Sequence, residues 1–275
     1  MITWSILAFL YGLIIGSFLN VCIYRLPRDL SVVKPRSFCP GCEKQIAWYD
    51  NIPVLSFLIL RGKCRHCGAK ISFRYPLVEL LTGLLFLMIV APLGATLVAL
   101  KLCILCALLV GLTFTDLDSL ILPDELTLGG SVVGIIFSWF VPVDDLVVRL
   151  TMSMAGFHPG PHWASVAESV AGAVVPAGFL FLGGWLFEKI RHKEGLGLGD
   201  VKMIAMVGAF LGLRAALLTL VVGSIAGSVI GLICIYATKK DASSYELPFG
   251  AFLGFAGILV ALTGAPVIHW YWGLL

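Results

Sequence analysis

Residues 2–24 read ITWSILAFLYGLIIGSFLNVCIY, a stretch without a charged side chain. A helix that crosses the hydrocarbon core of a bilayer needs about 20 consecutive apolar residues, so this stretch is long enough to span a membrane. It lacks the basic start and the small-residue cleavage site that mark a removable signal peptide. We therefore interpret it as a membrane span that the mature chain keeps.

The composition of the whole chain also indicates a membrane protein. Of its 275 residues, 59% are hydrophobic and 13% are charged, and the mean hydropathy is +1.00. A soluble domain carries about twice that charged fraction, and a disordered chain has the opposite bias. Both classes are therefore excluded. The formal net charge of +3 is too small to indicate nucleic acid as a partner.

Uncharged runs that end at glycine, proline or clusters of charge predict about eight transmembrane helices in an all-α fold. The predicted spans cover residues 2–24, 76–93, 95–115, 126–143, 164–187, 201–213, 215–238 and 249–270. The sixth is short for a span. The chain is thus expected to be a polytopic membrane protein.

Most of the positive charge lies between the first and second spans. Residues 25–74 contain ten of the nineteen Lys and Arg residues but only three acids, Asp29, Glu43 and Asp50. Because cytoplasmic loops carry an excess of Lys and Arg, this basic loop is predicted to be cytoplasmic. Its charge is interpreted as an anchor for anionic membrane lipids.

Two Cys-x2-Cys pairs lie in the basic loop. They are Cys39-Pro-Gly-Cys42 and Cys64-Arg-His-Cys67, with 21 residues between them. This spacing is typical of a zinc ribbon, in which two knuckles hold one tetrahedral ion through four thiolates. Two disulfides are the alternative, which a reducing cytoplasm disfavours. With four protein ligands, the zinc ion is expected to stabilise the loop and not to take part in chemistry.

Acidic residues next to a membrane span are rare enough to be functional candidates. Asp116 follows the third predicted span and Asp200 precedes the sixth, so the predicted topology places both at the inner ends of their helices. Two carboxylates in a partly dry site do not both ionise readily, and such a pair can activate water and protonate an amide leaving group. This is aspartyl protease chemistry. For Asp200 alone, a helix N-cap is the alternative.

Four neighbouring residues are candidates for supporting this site. Gly197 and Gly199 would leave room beside Asp200 for an extended peptide. Asp124 is also suited to the first turn of a helix, where it complements the dipole. Lys202 either pairs with an acid of the site or extends to the inner membrane surface.

Three further residues have structural interpretations. Residues 144–163 are predicted to form an irregular outer loop, in which the proline residues between His158 and His162 exclude a helical metal site. Glu79, near the start of the second span, is a candidate partner for an arginine of the basic loop.

Several motifs, in order along the chain, resemble the type IV prepilin peptidases, which are bifunctional leader peptidases and N-methyltransferases of pilus and type II secretion systems. They are GSFLNVCIYRLP at 16–27, the two Cys-x2-Cys pairs, Asn51-Ile52-Pro53, ISFRYPLVE at 71–79, residues 116–124, GLGDVK at 197–202 and Pro248-Phe249-Gly250. Together they cover nearly the whole chain.

The resemblance implies that Asp116 and Asp200 are the catalytic pair, in an Asp-x6-Pro pattern that ends at Pro123 and in a Gly-x-Gly-Asp motif. It implies cleavage of prepilins or pseudopilins at the cytoplasmic face, and then methylation of the new N-terminus with S-adenosylmethionine. It also associates the cysteine loop with methyl transfer. The sequence has no glycine-rich nucleotide fingerprint, so the methyl donor rests on the resemblance alone.

These features predict a multi-pass protein of the bacterial inner membrane with three parts. Residues 1–24 form the first transmembrane helix, residues 25–75 a cytoplasmic zinc-ribbon-like loop between the first two helices, and residues 76–275 a transmembrane aspartyl peptidase core. Two other functions are alternatives. The cysteine loop argues against the first, a presenilin-like intramembrane protease. The second, a proton-coupled transporter with a structural cysteine loop, predicts acids near the midplane and repeated halves.

Overall fold

The structure, a computed structural model, describes residues 2–143, 146–154, 156, 159–192, 197–238 and 247–272. Within these ranges the regular secondary structure is helical, apart from two isolated β-bridges in the basic loop. The predicted all-α fold is therefore confirmed.

The described residues form ten α-helices. They are α1 Ile2–Arg25, α2 Leu55–Ile59, α3 Arg74–Leu93, α4 Leu97–Ser119, α5 Asp124–Phe140, α6 Leu146–Met154, α7 Pro161–Arg191, α8 Leu198–Leu211, α9 Leu213–Thr238 and α10 Phe249–Trp272. Two short 3-10 helices, Leu26–Arg28 and Trp48–Asn51, lie in the basic loop.

Five of these helices are long and apolar enough to cross a membrane, namely α1, α3, α4, α7 and α9. The other three predicted spans coincide with α5, α8 and α10. Of these, α5 has 17 residues and α8 has 14, and α10 contains the shorter apolar helix Phe249–Thr263. Among the described residues, a helix therefore lies at each of the eight positions that the hydrophobic runs predict.

Glycine ends two of these helices. Gly94 follows α3 with φ 66° and Gly212 follows α8 with φ 88°, and each donates its N–H to a carbonyl of the last turn. An L side chain rarely adopts such a positive φ. The short sixth run therefore ends at residue 211 because the backbone turns there.

The chain divides into two compact units, Met1–Gly111 and Leu112–Leu275. In the first unit, α1 and α3 meet at backbone distance. A Cβ atom built on Gly12 would lie 2.7 Å from the Cα of Gly83, and one built on Gly16 would lie 2.6 Å from the Cα of Glu79. Small residues four apart are a common way for membrane helices to approach closely.

In the second unit, α8 is the central helix and packs against α5 and α7, while α9 packs against α10. Five apolar side chains of α8 are fully or almost fully buried, namely Met203, Ile204, Met206, Val207 and Phe210. Because α8 is enclosed in this way, the residues of its first turn hold a fixed position at the end of the core.

The described part of residues 144–163 is largely helical and is not the irregular loop that its proline and charged residues predict. It contains α6, Leu146–Met154, and α7 already begins at Pro161, so that His162 lies in its first turn. Proline is well tolerated at the first position of a helix, which explains why the prediction was wrong there. His158 lies outside the described residues.

Candidate active site and metal centre

Asp116 and Asp200 come from two helices that both reach the same end of the second unit. Asp116 lies in the last turn of α4, and Asp200 is the third residue of α8. Both residues are buried, with exposed fractions of 5% and 9%. Burial of this degree removes most of the water that would otherwise solvate two carboxylates.

Gly250, near the start of α10, lies between the two acids. A Cβ atom built on it would lie 3.0 Å from Asp200 Oδ1, 3.1 Å from Asp116 Cγ and 2.9 Å from Leu122 Cδ1. Both carboxyl groups therefore face one point, which the missing side chain of Gly250 leaves open. The structure thus brings together the two acids that the sequence selected.

The two acids differ in their hydrogen bonds. The backbone N–H of Ala251 donates to Asp116 Oδ2 over 2.7 Å. The first N–H groups of a helix have no partner within the helix and carry partial positive charge, so this contact stabilises negative charge on Asp116. Asp200 Oδ1 instead faces the position of Gly250.

Asp200 is not the N-cap of α8. The N-cap is Gly197, which makes no side-chain capping bond, and the backbone N–H of Asp200 donates to the carbonyl of Gly197. Asp118, two residues after Asp116, is exposed. The interpretation of Asp200 as a helix N-cap is therefore wrong. Of the two acids at the end of α4, only Asp116 is buried.

The two glycines before Asp200 have different surroundings. A Cβ built on Gly197 would lie 3.5 Å from Asp200 Oδ2, so its absence leaves space beside the acid. A Cβ built on Gly199 would lie 3.0 Å from Leu122 Cβ. The space beside Gly199 is therefore filled by the Leu122 side chain and not left for a substrate peptide.

Lys202 pairs with Asp124 over 2.6 Å. Both side chains are partly exposed, at 32% and 57%, and such pairs contribute about 0.2–1 kcal/mol. The contact joins the start of α5 to the first turns of α8. The pair therefore links α5 to α8 close to the two buried acids. Of the two alternatives for Lys202, the structure shows pairing with an acid, Asp124.

Sequence reasoning gave no role in the site to Leu122, Gly250 and Ala251, although the first two lie in motifs that carry the family resemblance. One signal was present, because a proline two residues before Gly250 is a mark of a helix start. The N–H groups of the first turn of α10, which have no carbonyl four residues earlier within the helix, follow directly from that start. Their contact with Asp116, 135 residues away, depends on helix packing that the sequence pattern does not contain.

The four cysteines of the basic loop form one cluster. Their Sγ atoms all lie within 4.8 Å of one another, and Cys39 Sγ is 3.8 Å from Cys67 Sγ. Each knuckle closes with the same backbone pattern, since the amides of Cys39 and Cys64 donate to the carbonyls of Lys44 and Ala69. Two similar turns thus direct two sulfurs each towards one point.

The geometry of the cluster fits a zinc ion. Four Zn–S bonds of about 2.3 Å in a tetrahedron separate the sulfurs by roughly 3.8 Å, whereas a disulfide requires about 2.05 Å. Backbone N–H groups of Cys67 and His66 lower the pKa of Cys64 to about 6, which favours the thiolate that binds metal. The donor set and its spacing therefore suit zinc better than disulfides.

An ion pair braces the second knuckle against the preceding 3-10 helix. The Arg65 guanidinium donates to both oxygens of Asp50, over 2.6 to 3.1 Å. This pairing lowers the pKa of the Asp50 carboxyl. A two-pronged Arg–carboxylate contact also fixes orientation, so it holds the two halves of the loop together.

Glu79 contacts the backbone of the basic loop, and the interpretation as the partner of an arginine was wrong. The N–H of Val54 donates to Glu79 Oε2 over 2.7 Å. Glu79 is buried, with an exposed fraction of 8%. The carboxylate therefore replaces a missing backbone acceptor for a loop amide.

Comparisons with known proteins cover most of the chain. Residues 10–93 match the family model described as Bacterial Peptidase A24 N-terminal domain, and residues 103–232 match that of the Type IV leader peptidase family. No solved structure matches the chain.

Three curated relatives bear the name prepilin leader peptidase/N-methyltransferase. The relative from Myxococcus xanthus is 42% identical over 243 residues, 88% of this chain and 67% of its own length. That from Aeromonas hydrophila is 39% identical over 294 residues, 96% of this chain and 92% of its own. That from Pseudomonas putida is 34% identical over 283 residues, 95% and 91% of the two chains.

Proposed function

Because the chain belongs to the type IV leader peptidase family, we propose that it cleaves the leader from prepilins or pseudopilins and then methylates the new N-terminal amine. The observation that carries the peptidase is the meeting of Asp116 and Asp200 at Gly250. The family relationship favours this reaction over a presenilin-like protease, and over proton-coupled transport.

In this proposal the two acids divide the work according to their contacts. Asp116, which accepts the Ala251 N–H, is the ionised partner and takes a proton from the attacking water. Asp200 keeps its proton and donates it to the scissile carbonyl oxygen as the water oxygen bonds to carbon. Asp116 then returns its proton to the amide nitrogen, which leaves as an amine when the C–N bond breaks, while Asp200 takes back the proton of one hydroxyl of the tetrahedral intermediate to leave the carboxylic acid product.

The supporting residues shape and brace this site. The space beside Gly197 and at Gly250 admits the extended backbone of the substrate, whose cleavage removes the leader. Leu122, packed against both Gly199 and Gly250, excludes water from one side of the acids. Lys202 and Asp124 keep α5 and α8 in register.

We place the site at the cytoplasmic face of the bacterial inner membrane, with about eight spans formed by α1, α3, α4, α5, α7, α8, α9 and α10. The concentration of cations in the basic loop supports this orientation. Exposed aromatic residues of the same loop, Trp48 at 73% and Tyr49 at 51%, suit the interface between headgroups and water. Anionic lipids are thus the proposed partners of this surface.

The cysteine cluster would hold a structural zinc through Cys39, Cys42, Cys64 and Cys67. With four protein ligands, the ion would stabilise the fold of the loop and would have no open position for a substrate. This loop, together with α1 and α3, is the proposed methyltransferase part, because the leader peptidase model matches only residues 103–232. The zinc would keep the basic loop folded over the ends of α1 and α3.

S-adenosylmethionine, the proposed methyl donor, would supply an electrophilic methyl group on a cationic sulfonium. The first unit suits a cationic reactant, because its buried Asn20 Oδ1 has no hydrogen-bond partner and its Glu79 carboxylate is buried nearby. The Asn20 amide is fixed by bonds to backbone carbonyls, so its oxygen keeps its direction.

The test of the peptidase assignment uses Asp116→Asn and Asp200→Asn, with Asp118→Asn as the matched control. A prepilin peptide with its leader is incubated with each purified variant in detergent, and cleavage is followed by mass spectrometry. We expect both dyad variants to lose cleavage by at least about 1000-fold and the control to stay within about threefold, since general acid–base groups contribute 10²–10⁴ each. Near-normal cleavage by either dyad variant would contradict the assignment.

A further inference from the structure

We propose that Asn20 and Glu79 form a binding site for the α-ammonium group that leader cleavage creates, and that Glu79 removes the proton from it before methyl transfer. This inference rests on the proposed function. It adds a second, separate site within the first unit, formed by the facing ends of α1 and α3 and by the loop residue Val54.

Asn20 is the first half of the site. Its Nδ2 donates to the carbonyls of Gly16, over 3.3 Å, and of Tyr75, over 3.0 Å. Since carbonyls only accept, these two contacts fix which end of the amide carries nitrogen. The oxygen, Oδ1, is buried without a hydrogen-bond partner although the residue is only 3% exposed. An unpartnered buried acceptor of this kind costs about 1–3 kcal/mol and calls for a donor.

Glu79 is the second half. Its contacts are with neutral donors, the Val54 N–H at 2.7 Å and the nearby Ser17 hydroxyl. A buried carboxylate bonded only to neutral donors keeps most of its attraction for a cation. A substrate ammonium would therefore meet a carboxylate whose charge is not already compensated by those contacts.

The crossing of α1 and α3 brings these two residues to the same level. Gly16, one turn before Asn20, touches the backbone of Glu79. Tyr75, one turn before Glu79, accepts from Asn20. The two acceptors thus flank the same helix crossing, in a place where the glycine lets the backbones meet.

The backbone of Val54, which donates to Glu79, has an unusual conformation. It has φ 59° and ψ −47°, a conformation that is a true outlier for a β-branched residue. Strain of this kind costs about 1–3 kcal/mol and persists where the surroundings impose it, often at functional sites. In this conformation the Val54 N–H donates to Glu79 Oε2, which holds the loop directly against the proposed site.

The chemistry requires a proton acceptor at this point. An α-amine is largely protonated near neutral pH, and an ammonium nitrogen has no lone pair for attack. Glu79 takes one proton, and Asn20 Oδ1 accepts a hydrogen bond from one of the two remaining N–H groups. The nitrogen lone pair forms the new N–C bond while the C–S bond of the methylsulfonium donor breaks, and the sulfur keeps that electron pair.

The direct test measures binding and requires no methyl donor. The full-length protein in detergent is titrated with a pre-cleaved pilin peptide that has a free N-terminal amine, and with the same peptide N-acetylated. Wild-type protein is expected to bind the free amine at least about tenfold more tightly, a difference of about 1.4 kcal/mol. Equal affinities for the two peptides would overturn the proposal without any variant.

Glu79→Gln is the key variant, because glutamine still accepts the Val54 N–H but has no charge. It is expected to lose the preference for the free amine, and to slow methylation of the pre-cleaved peptide by about 100-fold or more. Asp29→Asn, which removes one negative charge from the exposed start of the same loop, is the matched control and should keep both. Bound zinc, measured in each protein, reports whether the loop is intact.

Leader cleavage separates this proposal from the proposed function. Glu79→Gln should cleave a prepilin at the wild-type rate while it fails to methylate. Retained preference for the free amine in Glu79→Gln would overturn the amine site and leave the peptidase untouched. Absence of cleavage in the wild-type protein would instead contradict the proposed function. If Glu79→Gln loses zinc, the comparison of the two peptides on wild-type protein decides the question.

Discussion

In the second unit α7 and α8 meet at backbone distance at Gly172 and Gly208, and we expect Gly208→Ala to break this contact. A Cβ on Gly208 would overlap the carbonyl group of Gly172. In the opposite direction, a Cβ on Gly172 would lie 2.6 Å from the Gly208 carbonyl oxygen. Neither neighbour is a flexible side chain, because both contacts are with backbone atoms. The helices must therefore move apart to accept even one methyl group.

The expected cost has two parts. Overpacking in a tight core costs about 1–3 kcal/mol. Separation of the helices also weakens the bond from Ser169 Oγ to the Ala209 carbonyl, 2.6 Å long, and such interhelical bonds contribute about 0.6 kcal/mol in membrane proteins. The higher helix propensity of alanine offsets about 1 kcal/mol of this, so we expect a net loss of about 1–3 kcal/mol in the free energy of unfolding. Because Asp200 lies two turns before Gly208 on α8, cleavage should also fall.

Gly178→Ala on α7 is the matched control. A Cβ on Gly178 would have no heavy atom within 4 Å, and alanine is favoured over glycine in a helix by about 1 kcal/mol. The control should be as stable as wild type or slightly more so. Unfolding by SDS titration of the protein in mixed micelles gives the free energies, and prepilin cleavage gives the activity. Equal unfolding midpoints and equal cleavage rates for Gly208→Ala and Gly178→Ala would refute the reasoning.

Three other predictions concern the dyad and the basic loop. Gly250→Ala places a methyl group against both acids and should slow prepilin cleavage by about 100-fold. The control Gly129→Ala, whose Cβ would have no heavy atom within 4 Å, should cleave at the wild-type rate. Equal cleavage rates for the two variants would contradict the proposed site. Cys64→Ser should lower the bound zinc, measured by atomic absorption, well below one ion per chain. Cys106→Ser, at a cysteine buried in α4, should leave the zinc content unchanged. One zinc ion per chain in Cys64→Ser would contradict the four-thiolate site. The Asp50 pKa is lowered by Arg65, so their pairing stabilises the loop above the ordinary pKa of about 3.9 and is lost as the pH falls further. The rate of limited proteolysis of the loop should therefore rise below that pH in the wild-type protein. In Asp50→Asn, which lacks the ion pair, the rate should show no such rise.

Hydrophobic runs predicted the helices well because a membrane helix needs an uncharged stretch of defined length. They missed α6 because Leu146–Met154 has only nine residues, too few for a span and interrupted by Arg149. The thiolate cluster was predictable because each Cys-x2-Cys knuckle is a local turn. The contacts of Glu79 were not, because they depend on how the loop folds back onto α3. Charge alone suggested an arginine partner where the structure has a backbone amide.

The bond from Ala251 to Asp116 has a consequence for mutagenesis. The donor is a main-chain group, so every side-chain replacement at this position except proline retains it. An alanine scan is blind to it, because the residue is already alanine. Only Ala251→Pro, or an ester in place of that peptide bond, deletes the hydrogen. The Ala251 side chain is itself buried, at 2% exposed, so a large replacement would report on packing, whereas tolerance of a small one would say nothing about the importance of the amide to the acid it serves.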